Sequence, residues 1–247
     1  MNFTILRFDS IGSTNDEALR QARAGAGEGL CIIAKQQTAG RGRHGRRWIS
    51  EASSGLYFSA ILRPRIDAKD IPLITLMAGV AVHDSLQEFG LAPDIKWVND
   101  LLVGDKKIAG ILAEATETPA GLAVVVGIGI NVTSGSFSDD LADTATSIVA
   151  ETNRTVTFSE LEHSLTKYLG HFYEILRGAD GPTHILDEWR KRSTYFSGKS
   201  VRVVLENETF TGVTDGLEAN GALRVRTADS GSRIVNAGDV ERLRASE

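Results

Sequence analysis

Apolar residues along this chain follow two periods, and the switch between them divides it. Leu73, Leu76, Met77, Val80, Leu86 and Phe89 fall on one helix face, closed by Gly90. Leu161, Leu165, Leu169, Phe172 and Leu176 form a second such face, opened by the capping box Thr157-x-x-Glu160. Thr14-x-x-Glu17 predicts a shorter helix that stops at Gly25, with Ser13 and Asn15 at its start, where backbone N–H groups are unpaired. Pro182 suits the first turn of a further helix through Trp189. Period two governs the stretches between. Cys31 to Lys35 reads as a strand, and Leu56, Phe58, Ala60 and Leu62 alternate as another. Ile95 to Val98 and Leu101 to Val103 are strand pieces around a polar break at Asn99-Asp100. A turn at Gly104-Asp105 leads into a strand from Lys107 to Ala115, and Gly121 to Val132 is a strand nearly continuous in apolar residues.

After Ser197-Gly198 the helical period disappears. Val201, Val203 and Leu205, then Phe210, Val213, Leu223, Val225 and Ile234, are separated by Gly, Asn and Asp. That pattern predicts a small β-barrel of about fifty residues. The expected organisation is an α+β domain over residues 1–195, with a mixed β-sheet and packed helices, followed by an all-β module over residues 196–247.

Composition narrows the functions open to this chain. It has 247 residues and a net charge of −5, so it is not a polyanion binder by overall charge. The single cysteine, Cys31, excludes an internal disulfide and points to a reducing compartment. No Cys or His pair stands at zinc spacing. The first nine residues lack a basic region followed by an apolar core, so they are no secretion signal. The longest apolar run, near Leu73 to Ala81, is too short to span a bilayer. A cytoplasmic protein without membrane contact is expected.

Against that acidic background, Gly40-Arg41-Gly42-Arg43-His44-Gly45-Arg46-Arg47-Trp48 is exceptional. Glycine lets a backbone approach a ligand closely. Arginine supplies planar, permanently charged forks for phosphate or carboxylate oxygens. Tryptophan covers a flat ring. Such a loop suits an anion carrying a ring, and a nucleotide is the obvious candidate. A solvated basic face or a non-specific RNA-binding stretch is the plainer alternative. Gly40-x-Gly42-x-x-Gly45 also fits the dinucleotide-binding fingerprint, but that motif needs a helix to open within it. A polar segment and then a strand follow instead, so a Rossmann reading is rejected.

Three more segments carry polar residues or glycines where a core avoids them: Lys96-Trp97-Val98-Asn99-Asp100, Lys107-Ile108-Ala109-Gly110-Ile111-Leu112 and Gly127-Ile128-Gly129-Ile130-Asn131. Each has an ordinary explanation alone: a lysine at a strand end, a turn, a bulge. With Ser13-Thr14-Asn15 and Gln37-Thr38-Ala39-Gly40 leading into the arginine run, they form an ordered series. That series resembles the biotin protein ligases, over nearly the whole chain. The C-terminal segment resembles the family's SH3-like barrel through Gly212-Val213-x-Asp215-Gly216-Leu217 and Gly221-Ala222-Leu223. Two departures stand out: Val98 replaces the motif's usual proline, and His44 a frequent basic residue.

The resemblance implies a class II aminoacyl-tRNA synthetase/biotin synthetase-like catalytic domain before the barrel. It implies an ATP-dependent biotin–protein ligase that forms biotinyl-5′-AMP with Mg²⁺ and ATP, then transfers biotin to a lysine of a biotin carboxyl carrier protein. Lys107 is expected to bridge the biotin carboxylate and the α-phosphate. Arg41 and Arg43 are expected to clamp carboxylate and phosphate oxygens, and Arg46 to face the β/γ-phosphates. Ser13, Thr14, Asn15 and Gln37 suit the ureido group, with Gly40, Gly42, Gly110, Gly127 and Gly129 giving room. Trp48 is expected beside the adenine or the valeryl chain, Asn131 at the adenine edge, and Asn99 near the nucleotide. Asp100 is a candidate Mg²⁺ ligand or a guide for the incoming lysine. No helix-turn-helix precedes Ser13, so no DNA binding is expected, and the resemblance suits a monomer or weak homodimer. A lipoate or octanoate ligase of the same fold, and a non-catalytic RNA-binding module, are the alternatives.

Overall fold

The computed structural model describes residues 1–133, 143–228, 231–236 and 238–242. Seven strands form one mixed sheet: β1 (Thr4–Phe8), β2 (Leu30–Ala34), β3 (Gly55–Leu62), β4 (Asp94–Lys96), β5 (Asp100–Val103), β6 (Lys106–Thr118) and β7 (Gly121–Asn131). Their order is β1-β2-β3-β7-β6-β5-β4, with β1 and β2 parallel and every other neighbour antiparallel. Helices cover both faces. α1 (Thr14–Arg23) packs Ala18, Leu19 and Ala22 onto Ile32, Ile61, Ala123 and Val125. The opposite face meets α2 (Leu73–Gln87), and the main core gathers there with α4 (Phe158–Leu176) and α5 (Gly181–Lys191). A short α3 (Ile148–Thr152), capped by Ser147, lies between β7 and α4.

Most expected elements are present, and the differences have physical reasons. β3 was expected to alternate, yet all eight of its residues are buried, because helices pack on both sides. β1 was not anticipated: at the sheet edge its side chains are mostly half-buried or exposed, so no face stands out. The N-cap of α1 is Ser13, one residue before the expected box; its hydroxyl accepts from the Asp16 N–H, while Glu17 turns to Arg20 and Gln21. The Thr157–Glu160 box opens α4 as expected. α3 is too short to carry a periodic signal.

The C-terminal strands are β8 (Ser197–Val204), β9 (Thr209–Leu217), β10 (Leu223–Thr227), β11 (Gly231–Val235) and β12 (Asp239–Arg242). They pair in the order β11-β10-β9-β8-β12, all antiparallel. A barrel was expected; among the described residues the pairing is an open five-stranded sheet. Its inward side chains, Val201, Val203, Leu223 and Val225, join the same hydrophobic cluster as α2 and the large sheet. Trp97 Nε1 donates to the Gly221 carbonyl at 2.9 Å across that junction.

Candidate active site

Strand parity builds the floor of the site. On β7, Val124, Val126, Ile128 and Ile130 face the main core, so Ala123, Val125, Gly127, Gly129 and Asn131 face the α1 side. Register with β6 places Gly110 opposite Gly129 and Leu112 opposite Gly127 on that same face. Beyond the end of α1 the floor is therefore nearly bare of side chains. A Cβ on Gly127 would lie 2.0 Å from Asn15 Oδ1, one on Gly129 2.5 Å from Trp48 Cε2, and one on Gly110 2.9 Å from Trp48 Cζ3. The glycines admit Asn15 and the Trp48 indole directly onto the sheet. Above them opens a cavity of about 800 Å³.

Ser13, Thr14, Asn15, Gln37, Arg41, Gly42, Arg43, Arg46, Trp48, Asn99, Lys107, Gly110, Gly127, Gly129 and Asn131 all line this cavity. Two expected residues do not. Gly40 lies behind the wall, where a Cβ would sit 2.5 Å from the Trp48 carbonyl oxygen and 2.7 Å from Ser50 Oγ. Only glycine fits that crossing, which lets the loop pass close to Trp48 and Ser50. Asp100 stands behind Lys107, with Oδ1 2.5 Å from Lys107 Nζ and Oδ2 3.8 Å from Lys96 Nζ.

At one end of the cavity the polar side chains are already satisfied among themselves. Gln37 Oε1 accepts from the Thr14 N–H and hydroxyl, and Gln37 Nε2 donates to Ser50 Oγ. Ser59 Oγ lies within hydrogen-bond distance of Thr14 Oγ1, at 2.8 Å, and of Asn15 Oδ1, at 2.7 Å, with its one proton to share between them. Asn15 Nδ2 donates to the Leu112 carbonyl and to Glu114 Oε2. Such a network fixes each group's orientation before a ligand arrives. Ser59 and Glu114 were not singled out from sequence. Their positions on the site face of β3 and β6 were the available signal.

The arginine segment, on the far side, makes backbone contacts of its own. Gly42 N–H donates to the Arg46 carbonyl at 2.7 Å, and Trp48 N–H to the Gly40 carbonyl at 3.0 Å. His44 and Gly45 make the tip in left-handed backbone, φ 53° and 71°. Arg41 is held bidentately by Glu114, at 2.9 and 2.6 Å, and by Asp16 at 2.7 Å. Partial burial opposes its charge, but the two carboxylates outweigh it and raise the guanidinium pKa. Arg43 Nη1 donates to Asn99 Oδ1 and to the Gly238 carbonyl of the C-terminal sheet. Lys107 Nζ lies 5.3 Å from the Trp48 ring centroid, a cation–π contact. Trp48 Nε1 is buried and has no acceptor among the described residues. Asn131 Nδ2 donates to the Thr146 and Lys107 carbonyls, tying the backbone of Lys107 to the segment before α3.

Residues 8–131 match the model of the biotin/lipoate A/B protein ligase family, and residues 196–243 that of the biotin protein ligase C terminal domain. The chain belongs to the biotin/lipoate A/B protein ligase family. It is 35% identical over 238 residues to the bifunctional ligase/repressor BirA of Bacillus spizizenii, covering 94% of this chain and 72% of that one. It is 31% identical over 238 residues to the biotin–(acetyl-CoA-carboxylase) ligase of Paracoccus denitrificans, covering 92% of this chain and 96% of that one. The biotin protein ligase from Aquifex aeolicus in complex with biotin and ATP superimposes with a TM-score of 0.85 at 25% identity, over 97% of this chain and 99% of that one. Both the catalytic segment and the C-terminal segment of this ligase family are thus accounted for.

A magnesium site built by the protein is a separate matter. Among the described residues no three His, Cys, Asp or Glu side chains converge. Asp100 faces Lys107 and Lys96, two cations that a magnesium ion would have to displace. These residues do not fit a resident metal.

Proposed function

We propose how this ATP-dependent biotin–protein ligase carries out its reaction. The supporting observation is that Lys107, Arg43, Arg46 and Trp48 line one cavity together with a satisfied polar network whose Asn15 lies on Gly127. Biotin lies with its fused rings toward Ser13, Thr14, Asn15 and Gln37, and with its carboxylate toward Lys107. The ureido group then exchanges hydrogen bonds with groups held by the network, because a buried polar group left unpaired is expensive. ATP enters as its magnesium complex, the ion arriving with the nucleotide. Trp48 and Asn131 flank the adenine, with Asn99 close to the phosphates.

The first step joins two anions. A biotin carboxylate oxygen attacks the α-phosphorus, the bond to the β-phosphate oxygen breaks, and pyrophosphate leaves. Lys107 bridges the attacking carboxylate and the α-phosphate, while Arg43 and Arg46 meet the phosphate oxygens. Fixed cations act most strongly where water is excluded. Asp100 holds the Lys107 ammonium at the cavity wall and is a positioning residue. In the second step the amine of a carrier-protein lysine attacks the acyl carbon, the amide forms and AMP departs.

Biotin-dependent exchange of labelled pyrophosphate into ATP, with magnesium present, is the expected result. Exchange with lipoate but not with biotin would assign the site to the lipoate branch of the family. The acidic net charge of −5 speaks against the alternative of an RNA-binding module.

A further inference from the structure

Lys96 opens the segment Lys96-Trp97-Val98-Asn99-Asp100, yet it does not line the cavity and takes no part in either step of the reaction. It is paired with Asp100 across the β4–β5 hairpin, and Asp100 is paired in turn with Gly110 on β6. Asp100 Oδ2 lies 3.8 Å from Lys96 Nζ, and Oδ1 lies 2.5 Å from Lys107 Nζ. Gly110 leaves the Lys107 ammonium room beside the sheet: a Cβ there would sit 3.2 Å from Lys107 Nζ. One carboxylate is thus shared by two ammonium groups. Among the described residues no other carboxylate lies within 4.0 Å of either. The Lys96 and Asp100 side chains are only 21% and 20% exposed, so salt and water screen these charges less than they would at an open surface.

Counting charge gives the arrangement its meaning. Lys107 and Asp100 alone make a neutral pair, and opposite charges this close largely cancel at the distance of a bound ligand. A neutral pair is poorly suited to joining a carboxylate to a phosphate. Lys96, on the second carboxylate oxygen, returns the trio to a single net positive charge. It also draws Asp100 from the opposite side, so the carboxylate does not belong to Lys107 alone. We propose that Lys96 is a positioning residue of the adenylation centre: it offsets Asp100, so that Lys107 presents its charge to the cavity. The inference rests on the role of Lys107 proposed above.

The test is single-turnover adenylation by the full chain, together with calorimetric titration of biotinol, in which a hydroxymethyl group replaces the carboxylate of biotin. Lys96→Met keeps most of the side chain's length and removes its charge. A group that touches the developing charge is worth about a hundred- to a thousand-fold in rate, and one acting through a neighbouring carboxylate is expected to be worth about tenfold. Lys96→Met should therefore slow adenylation about tenfold, while biotinol, which brings no charge, binds as it does to wild type. Lys96→Arg should keep most of the rate. Adding Asp100→Asn to Lys96→Met restores the single positive charge and keeps an acceptor for Lys107, so it should recover most of what was lost. A merely structural Lys96 would weaken biotinol binding, and the second substitution would deepen the loss of rate; either result overturns the inference. Unchanged adenylation in Lys96→Met would overturn it as well. Each of those failures leaves the role of Lys107 standing. Near-wild-type adenylation by Lys107→Ala would overturn that role and this inference together.

Discussion

At the scale of single residues, the strongest expectation concerns Lys107. Its ammonium is held between Asp100 and the face of Trp48 at the cavity wall, so replacing it leaves the sheet's packing intact. Lys107→Ala should lower the adenylation rate roughly a hundred- to a thousand-fold, about 3–4 kcal/mol of transition-state stabilisation. Transfer from pre-made biotinyl-AMP should fall less, since attack at phosphorus is then already complete. Single-turnover formation of the adenylate checks the first claim, and transfer to a carrier domain the second. Adenylation near the wild-type rate would return Lys107 to the role of a solvated strand end. Sequence brought many of the cavity-lining residues into view, because the glycines, the lysine and the arginine run, each ordinary alone, recur as one ordered series. It did not show which of them touch ligand and which hold others. Gly40 and Asp100 stand behind the cavity wall, and Glu114 looked like any strand glutamate. Those distinctions depend on which side chains meet across the sheet, which spacing along one strand does not encode.

At the scale of elements, helices with a strong apolar face and a capping box were legible, while edge and very short elements were not. The joint between α2 and α4 shows what periodicity leaves out. Glu88, just past α2, accepts from Lys167 Nζ at 2.7 Å, Ser164 Oγ at 2.6 Å and Tyr168 Oη at 2.9 Å, all on α4. The Lys167 contact foremost, then Ser164, holds the Glu88 carboxyl at a pKa of about 2, below its ordinary value of 4.5. A pKa lowered in the folded state means that folding is favoured above the unfolded value and that this contribution is lost as pH falls. Glu88→Gln should therefore be less stable than wild type at neutral pH, by a modest amount because the pair is partly exposed to water. The difference should shrink from about pH 4.5 downward and vanish near pH 2. Urea midpoints of both proteins across that range would measure it. A pH-independent gap would mean that Glu88 acts by packing rather than by charge.

At the scale of the whole molecule, the C-terminal sheet behaves as part of the catalytic body. The change of period after Ser197-Gly198 suggested a separate module, and the strands there form their own sheet, whose Val201, Val203, Leu223 and Val225 share one hydrophobic cluster with α2 and the large sheet. Gly221 packs so tightly that a Cβ there would lie 2.8 Å from Leu76 Cδ1 and 2.9 Å from Leu73 Cδ2. Its carbonyl takes the hydrogen bond from Trp97, two residues before Asn99, which accepts from Arg43. Arg43 in turn donates to the Gly238 carbonyl, so the chain of contacts leaves the C-terminal sheet at Gly221 and returns to it at Gly238. A shared core predicts one cooperative unfolding transition rather than two, visible as agreement between calorimetric and van't Hoff enthalpies. Trp97→Phe removes the buried N–H and leaves the Gly221 carbonyl without that partner. It should cost about 1–3 kcal/mol of global stability. Because Trp97 lies two residues before Asn99, the same variant should weaken ATP binding more than biotin binding. Calorimetric titration of each ligand would separate the two effects. Equal losses for biotin and ATP, or an early melting step confined to the C-terminal strands, would show that the two sheets are joined only by contact and not in function.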